Sequence, residues 1–264
     1  MSVAVAQIPV CWSVEANLNT ILATVAAVEA GTVLVLPEAA LSGYDGELSG
    51  LDDLSPDEVL NACSVLSDAV HHAGAHLFCG TLLSEAGRWW NAAIYFPPNG
   101  DPWIYRKLNL ALHERGKLAA GSELPTVAMA LPAGQVTAGV QLCREIRFPE
   151  QWNCLARQGA KVIVYMTYAA NPAQTAGVWR AHLISRAAEN QRFVLAANVA
   201  DVHQHCPSMI ISPRGEVLEE TTDGDPAILR REIDLADVRG DYLSQQRSDF
   251  IAVPAVTASG GSKD

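Results

Sequence analysis

The sequence predicts an α/β fold with mixed sheets, and two patterns carry that prediction. Several short runs are apolar throughout instead of alternating: TVLVLP (32–37), KVIVYMT (161–167) and RFVLAANVA (192–200). Such runs mark strands covered on both faces. They alternate with stretches whose apolar residues recur at helical spacing, while PPNGDP and PRG place turns between strand-like runs and add antiparallel pairs.

Each element has its own local reason. SVAVAQIPV (2–10) reads as an opening strand, and WSVEANLNTILATVAAVEAG (12–31) as a helix stopped by Gly31. TVLVLPE (32–38) is a strand ending on Pro-Glu. SPDEVLNACSVLSDAVHHAG (55–74) has a Ser cap, Pro at the first helical position, acids in its first turn and a Gly stop. AHLFCGTLL (75–83) is the next strand, and NAAIYFPPNGDPWIYRKLNL (91–110) a hairpin. TVAMALP (126–132) pairs with QVTAGVQLC (135–143) around Ala-Gly. A helix starts near Pro149, KVIVYMT is a strand, and GVWRAHLISRAAENQ (177–191) is a helix. RFVLAANVA, a hairpin over SMIISPRGEVLEE (208–220) and AILRREIDL (227–235) complete the strands. With no internal repeat or mid-chain linker, residues 1–250 read as one domain and 251–264, ending TASGGSKD, as a flexible tail.

Composition narrows the function. Of 264 residues, 49% are hydrophobic and 18% charged, with a net charge of −11. An acidic chain without Lys/Arg clusters argues against nucleic acid and against an anionic membrane surface. The N-terminus lacks the basic region of a signal peptide, and no apolar run reaches the length of a membrane span. Six cysteines are scattered without CxxC spacing, which suits a reducing cytoplasm and fits neither a zinc site nor a disulfide framework. Cys79 and Cys154, in apolar surroundings, read as small core residues. HQHC (203–206) is a thin metal motif without a distant fourth ligand, and GxSxG, P-loop and GxGxxG patterns are absent. No cofactor is implied.

Four residues offer chemistry. GVQLCREIRFPE (139–150) puts Cys143 at the end of an apolar run, just before Arg144, Glu145 and Arg147. A thiol between a strand end and a helix start meets backbone N–H groups that lower its pKa and bind an oxyanion. Glu38 closes TVLVLP in the same way, and a carboxylate costly to ionise unless paired suits a general base. Lys107 follows WIYR and needs an anionic partner. Each has an ordinary reading beside this one: a packed strand-end thiol, a loop-surface acid, a snorkelling lysine and, for Glu114 in ALHERG, a plain loop acid. Together, a base, an ammonium and a thiol are the parts of acyl transfer through a thioester.

VLVLPEAALSGY (33–44), YRKLNL (105–110) and GVQLCREIRFPE resemble, in order and spacing, the three catalytic blocks of the nitrilase superfamily of carbon–nitrogen hydrolases. The likeness runs over residues 2–235 and takes in WNAAIYFPPNG, SRAAENQRFVLAANV and SMIISPRGEVL. It implies a four-layer αββα sandwich with two mixed sheets, assembled as a homodimer or larger homo-oligomer. It also implies a triad of Glu38, Lys107 and Cys143, with Glu114 as a second glutamate that helps position Lys107 and the substrate. Glu38 would take the thiol proton while Cys143 attacks, and Lys107 with the Arg144 N–H would hold the oxyanion.

The activity implied is that of a cytoplasmic amidase. It would cleave a small linear amide, an ω-amide or carbamoyl compound, to acid and ammonia or amine. A nitrilase working through a thioimidate ranks second, because family members of that activity tend to be longer. A catalytically silent scaffold member is disfavoured by retention of the triad. Some positions depart from the family pattern: Asn109 stands where many members have His, Glu145 where Asp is common, and Arg144 where an aromatic is frequent. Arg144 reads as a contact for an anionic substrate or as a solvated or Glu-paired arginine. Tyr168 reads as a pocket wall or a packed aromatic.

Overall fold

The computed structural model describes residues 1–169 and 173–247. In chain order its elements open with β1 (Ser2–Gln7), α1 (Val14–Ala26), β2 (Val33–Val35), α2 (Pro56–Ala73) and β3 (His76–Glu85). Next come β4 (Arg88–Phe96), β5 (Trp103–Arg106), β6 (Leu118–Ala119), β7 (Val127–Leu131) and β8 (Gly134–Leu142). Then follow α3 (Pro149–Arg157), β9 (Val162–Met166), α4 (Ala173–Asn190) and β10 (Phe193–Ala197). The last are β11 (Met209–Ile211), β12 (Val217–Glu220), β13 (Ala227–Glu232) and α5 (Asp241–Gln245).

The strands form two mixed sheets. One has the order β13–β1–β2–β3–β4–β5, with β6 against β4; the other is β12–β11–β10–β9–β8–β7. Parallel pairing joins β1 to β2 and β2 to β3 in the first, and β8 to β9 and β9 to β10 in the second. Hairpins extend each centre antiparallel.

Why the central strands are apolar throughout is now visible, because each face has its own core. Side chains alternate across a strand. Val3, Val5, Val33 and Val35 pack between the sheets against Val140, Leu142, Val164 and Leu195. Their neighbours Ala4, Ala6 and Leu34 pack beneath α1 and α2 with Ile21, Leu66 and Val70. On the far side, Ile163, Tyr165 and Val194 meet Trp152, Leu155 and Leu183 of α3 and α4. Three cores separate four layers, αββα, as the resemblance implies.

Some local expectations are corrected. The first helix ends at Ala26, not Gly31, because the chain turns so that Gly31 N–H donates to Gly74 O at 2.8 Å, joining the ends of the two helices. The strand expected over 75–83 runs on to Glu85, and its partner starts at Arg88, not 91. Ala86 and Gly87, at φ 49° and 74°, form the two-residue turn between them, a left-handed pair that Ala-Gly signals weakly. The helix expected from residue 177 begins at Ala173, and the last strand stops at Glu232, short of 235. Cys154 is exposed rather than core, since α3 turns Trp152, Leu155 and Ala156 inward and leaves the cysteine outside. The tail expected over 251–264 lies outside the described residues.

Candidate active site

The backbone delivers each reactive side chain at the end of a strand. After β2 the chain continues beside β3: Leu36 N–H donates to Phe78 O at 2.9 Å, and Gly80 N–H to Pro37 O at 3.2 Å. The approach is so close that a Cβ on Gly80 would lie 2.4 Å from Ala39 N and 2.6 Å from the Glu38 Cα. Only glycine lets β3 pass behind Glu38. Lys107 follows β5 and donates its N–H to Asn91 O at 2.8 Å. Cys143 follows β8 with φ at 41°, a left-handed conformation that costs an L-residue about 1–2 kcal/mol. Strain of this kind persists where the surroundings enforce it, here with Tyr165 donating its hydroxyl to Cys143 O at 2.8 Å.

Glu38, Lys107 and Glu114 are completely buried. The Lys107 Nζ donates to Glu38 Oε1 at 2.7 Å and to Glu114 Oε1 at 2.9 Å. One ammonium between two carboxylates leaves an excess of negative charge that a dry interior does not tolerate unaided. Neutral donors supply the rest. Asn91 Nδ2 donates to Glu38 Oε1 at 2.8 Å and to Glu114 Oε1 at 2.6 Å, and the Tyr44 hydroxyl donates to Glu114 Oε1 at 2.8 Å. Backbone N–H groups complete the shell, Tyr168 to Glu38 Oε2 at 2.9 Å and Ala111 to Glu114 Oε2 at 2.5 Å.

Burial alone would draw the Lys107 ammonium down, but Glu38, Cys143 and Glu114 outweigh it and hold it above the ordinary lysine value. Burial likewise works to raise Glu114, and the adjacent Lys107 charge, with hydrogen bonds from Lys107, Asn91 and Ala111, overrides it and keeps this carboxyl below the usual range. At Cys143, burial and then the Glu38 charge push the thiol up to about 12, against the opposing pull of Lys107 and contrary to the lowering that its place between a strand end and a helix start suggests. A thiol so placed is protonated at neutral pH, so a base must take its proton as the sulfur attacks.

The structure therefore brings Glu38, Lys107, Glu114 and Cys143 into one electrostatically coupled cluster. Arg144, next to the sulfur, is exposed and has no ion-pair or hydrogen-bond partner among the described residues. It is not Glu-paired. Tyr168 is half-buried, its ring 5.5 Å from that of Tyr44, in a satellite apolar cluster with Leu51, Leu82 and Leu118. In HQHC, His203 and His205 are exposed while Gln204 turns inward to donate to Gln7 Oε1 at 3.0 Å.

Sequence reasoning missed several contributors. Asn91 stands alone as a polar residue in the apolar strand WNAAIYF, a signal that a partner waits inside. Tyr44 carried no such mark. His113 reaches the edge of the cluster, its Nε2 2.8 Å from the Tyr44 hydroxyl. Glu145, noted only for replacing Asp, is completely buried although it directly follows exposed Arg144.

Comparison with known proteins adds the following. A family model described as carbon-nitrogen hydrolase matches residues 2–241. The chain is 34% identical over 211 residues to the 2-oxoglutaramate amidase of Bacillus subtilis (strain 168), covering 77% of this chain and 78% of that one. It is 28% identical over 253 residues to the omega-amidase NIT2 of Danio rerio, covering 88% of each. Among solved structures, Saccharomyces cerevisiae Nit3, a member of branch 10 of the nitrilase superfamily, superposes with a TM-score of 0.76. The sequences are 23% identical there, over 98% of this chain and 96% of that one.

Proposed function

The chain belongs to the carbon–nitrogen hydrolase family, and we propose that it hydrolyses the terminal amide of a small linear ω-amide bearing a distal carboxylate. The observation that carries this is the buried Glu38–Lys107–Glu114 cluster coupled to Cys143. In the proposed reaction Glu38 accepts the thiol proton as Cys143 Sγ attacks the carbonyl carbon. Lys107 and the Arg144 N–H stabilise the oxyanion, worth about 3–4 kcal/mol per donor at comparable sites. Glu38 returns the proton to the departing nitrogen, ammonia leaves, and a water activated by Glu38 cleaves the thioester to the acid. Glu114 holds Lys107 in place.

Two features favour an acidic substrate. Arg144 is an unpaired, exposed cation beside the nucleophile, matched to a carboxylate at the far end of the molecule. Among the relatives are a 2-oxoglutaramate amidase and an omega-amidase. Tyr168, beside Tyr44, forms the apolar wall along which the intervening carbons lie.

On this proposal residues 1–250 act as one domain within a homodimer in a reducing cytoplasm. The free state of all six cysteines fits that compartment. No helix among the described residues is long and apolar enough to cross a membrane.

Ammonia release from glutaramate, 2-oxoglutaramate, butyramide, N-carbamoyl-β-alanine and butyronitrile, measured for the wild type and Cys143→Ala, tests the assignment. The expected result is turnover of the acidic ω-amides, little or none of the nitrile, and none of any compound by the folded Cys143→Ala protein. Preference for the nitrile, or turnover retained in the variant, overturns it.

A further inference from the structure

Glu145 holds a carboxylate that the reaction scheme above leaves unused. It is completely buried, and its oxygens are crowded with donors from two different parts of the chain. Oε1 accepts from the Tyr105 hydroxyl at 2.8 Å, Leu108 N–H at 2.8 Å and Asn109 N–H at 3.1 Å. Oε2 accepts from Leu142 N–H at 2.8 Å. Glu145 O accepts from the Trp152 indole at 3.0 Å, which anchors the same turn to α3. No ion pair reaches this carboxylate among the described residues; its partners are neutral.

Where those donors sit gives the arrangement its meaning. Tyr105 lies on β5 of the first sheet, and Leu108 and Asn109 directly follow Lys107. Leu142 is the last residue of β8 in the second sheet and directly precedes Cys143. Lys107 and Cys143 thus ride on different sheets, between which apolar packing does not dictate a fixed offset. We infer that Glu145 is a positioning residue whose carboxylate clamps the segment after Lys107 to the turn at Cys143 and so sets the distance between ammonium and sulfur. This rests on the proposal that those two groups serve one reaction.

Glutamine at this place keeps the shape but must aim its NH₂ at backbone donors on one side or the other, whichever way the amide is turned. Aspartate keeps both acceptor oxygens on a shorter stem. The test compares wild type, Glu145→Gln, Glu145→Asp and Tyr105→Phe. Melting temperature monitors the fold, and kcat and KM for glutaramate are measured separately. Iodoacetamide labelling, followed by peptide mass spectrometry, gives the rate at Cys143 relative to exposed Cys154 in the same sample.

Because a displacement near 1 Å can cost about 100-fold, Glu145→Gln is expected to lower kcat by about that factor, with KM within about threefold. Glu145→Asp should recover most of the loss. If Glu145→Gln does not fold, Tyr105→Phe, lacking one donor, should still lower kcat by roughly tenfold at unchanged KM. Labelling of Cys143 relative to Cys154 should fall in Glu145→Gln, since Lys107 no longer favours the thiolate. Unchanged kcat in the folded variants, or a loss confined to KM, overturns the inference. If the wild type cleaves no amide, the functional proposal fails, and the labelling ratio then decides this one alone: a fall upholds the clamp and an unchanged or raised ratio refutes it.

Discussion

At the scale of single residues, the site is governed by charge. Lys107 sits between Glu38 and Glu114, all three buried away from bulk solvent, and removing one member of such a cluster leaves an uncompensated charge. Cys143 is different: with its pKa pushed up to about 12 it rests as a neutral thiol, and on the proposed mechanism it acquires charge only as it attacks. Arg144 lies outside this enclosure, exposed and unpaired. Replacing it should therefore alter recognition without disturbing chemistry. Arg144→Gln is expected to raise KM for glutaramate by about 10- to 100-fold, the value of a charge-assisted hydrogen bond of roughly 1.5–3 kcal/mol. KM for butyramide, which has no carboxylate, should hold, as should kcat for both. An equal rise for both amides would show that Arg144 does not read charge.

At the scale of elements, strand ends and their neighbours do the positioning. Gly80 of β3 admits the backbone of Glu38 so closely that any Cβ would overlap Ala39 N and Pro37 O, at 2.4 and 2.5 Å. These are backbone atoms and have no rotamer by which to retreat. Gly80→Ala should push Glu38 away from Lys107, destabilise the protein by about 1–3 kcal/mol and lower kcat by at least roughly tenfold. Thermal melts and steady-state kinetics check both effects, and a variant as stable and active as wild type would contradict the role of this contact. Strand identity was legible where the local pattern was strong. TVLVLP and KVIVYMT are apolar throughout because each face meets a separate core, and the cap Ser55 accepts a backbone N–H as expected, as Ser13 does at the start of α1. Helix ends were less legible: α1 stops early because its exit is set by contact with the end of α2, a tertiary fact absent from its own residues.

At the scale of the whole molecule, Glu38, Lys107 and Cys143 come from three separate chain segments and from both sheets, with Glu38 and Lys107 alone 69 residues apart. The three blocks were recognisable because each pairs a buried strand with a polar residue at its end. What the blocks did not reveal was the support around them. Asn91, Tyr44 and Glu145 act through side chains that cross between elements, and nothing in their own neighbours says which partner they will meet. Arg144 and Glu145 show the limit plainly, being adjacent in sequence yet facing solvent and core respectively.

The measurement that bears most directly on the convergence of these segments is intact-protein mass spectrometry after rapid mixing with glutaramate and acid quenching, with peptide mapping of the adduct. An acyl group on Cys143 in the wild type, absent from Cys143→Ala and Lys107→Met, is the predicted result. Turnover of the amide with no adduct at Cys143, or an adduct formed equally well without Lys107, would contradict it.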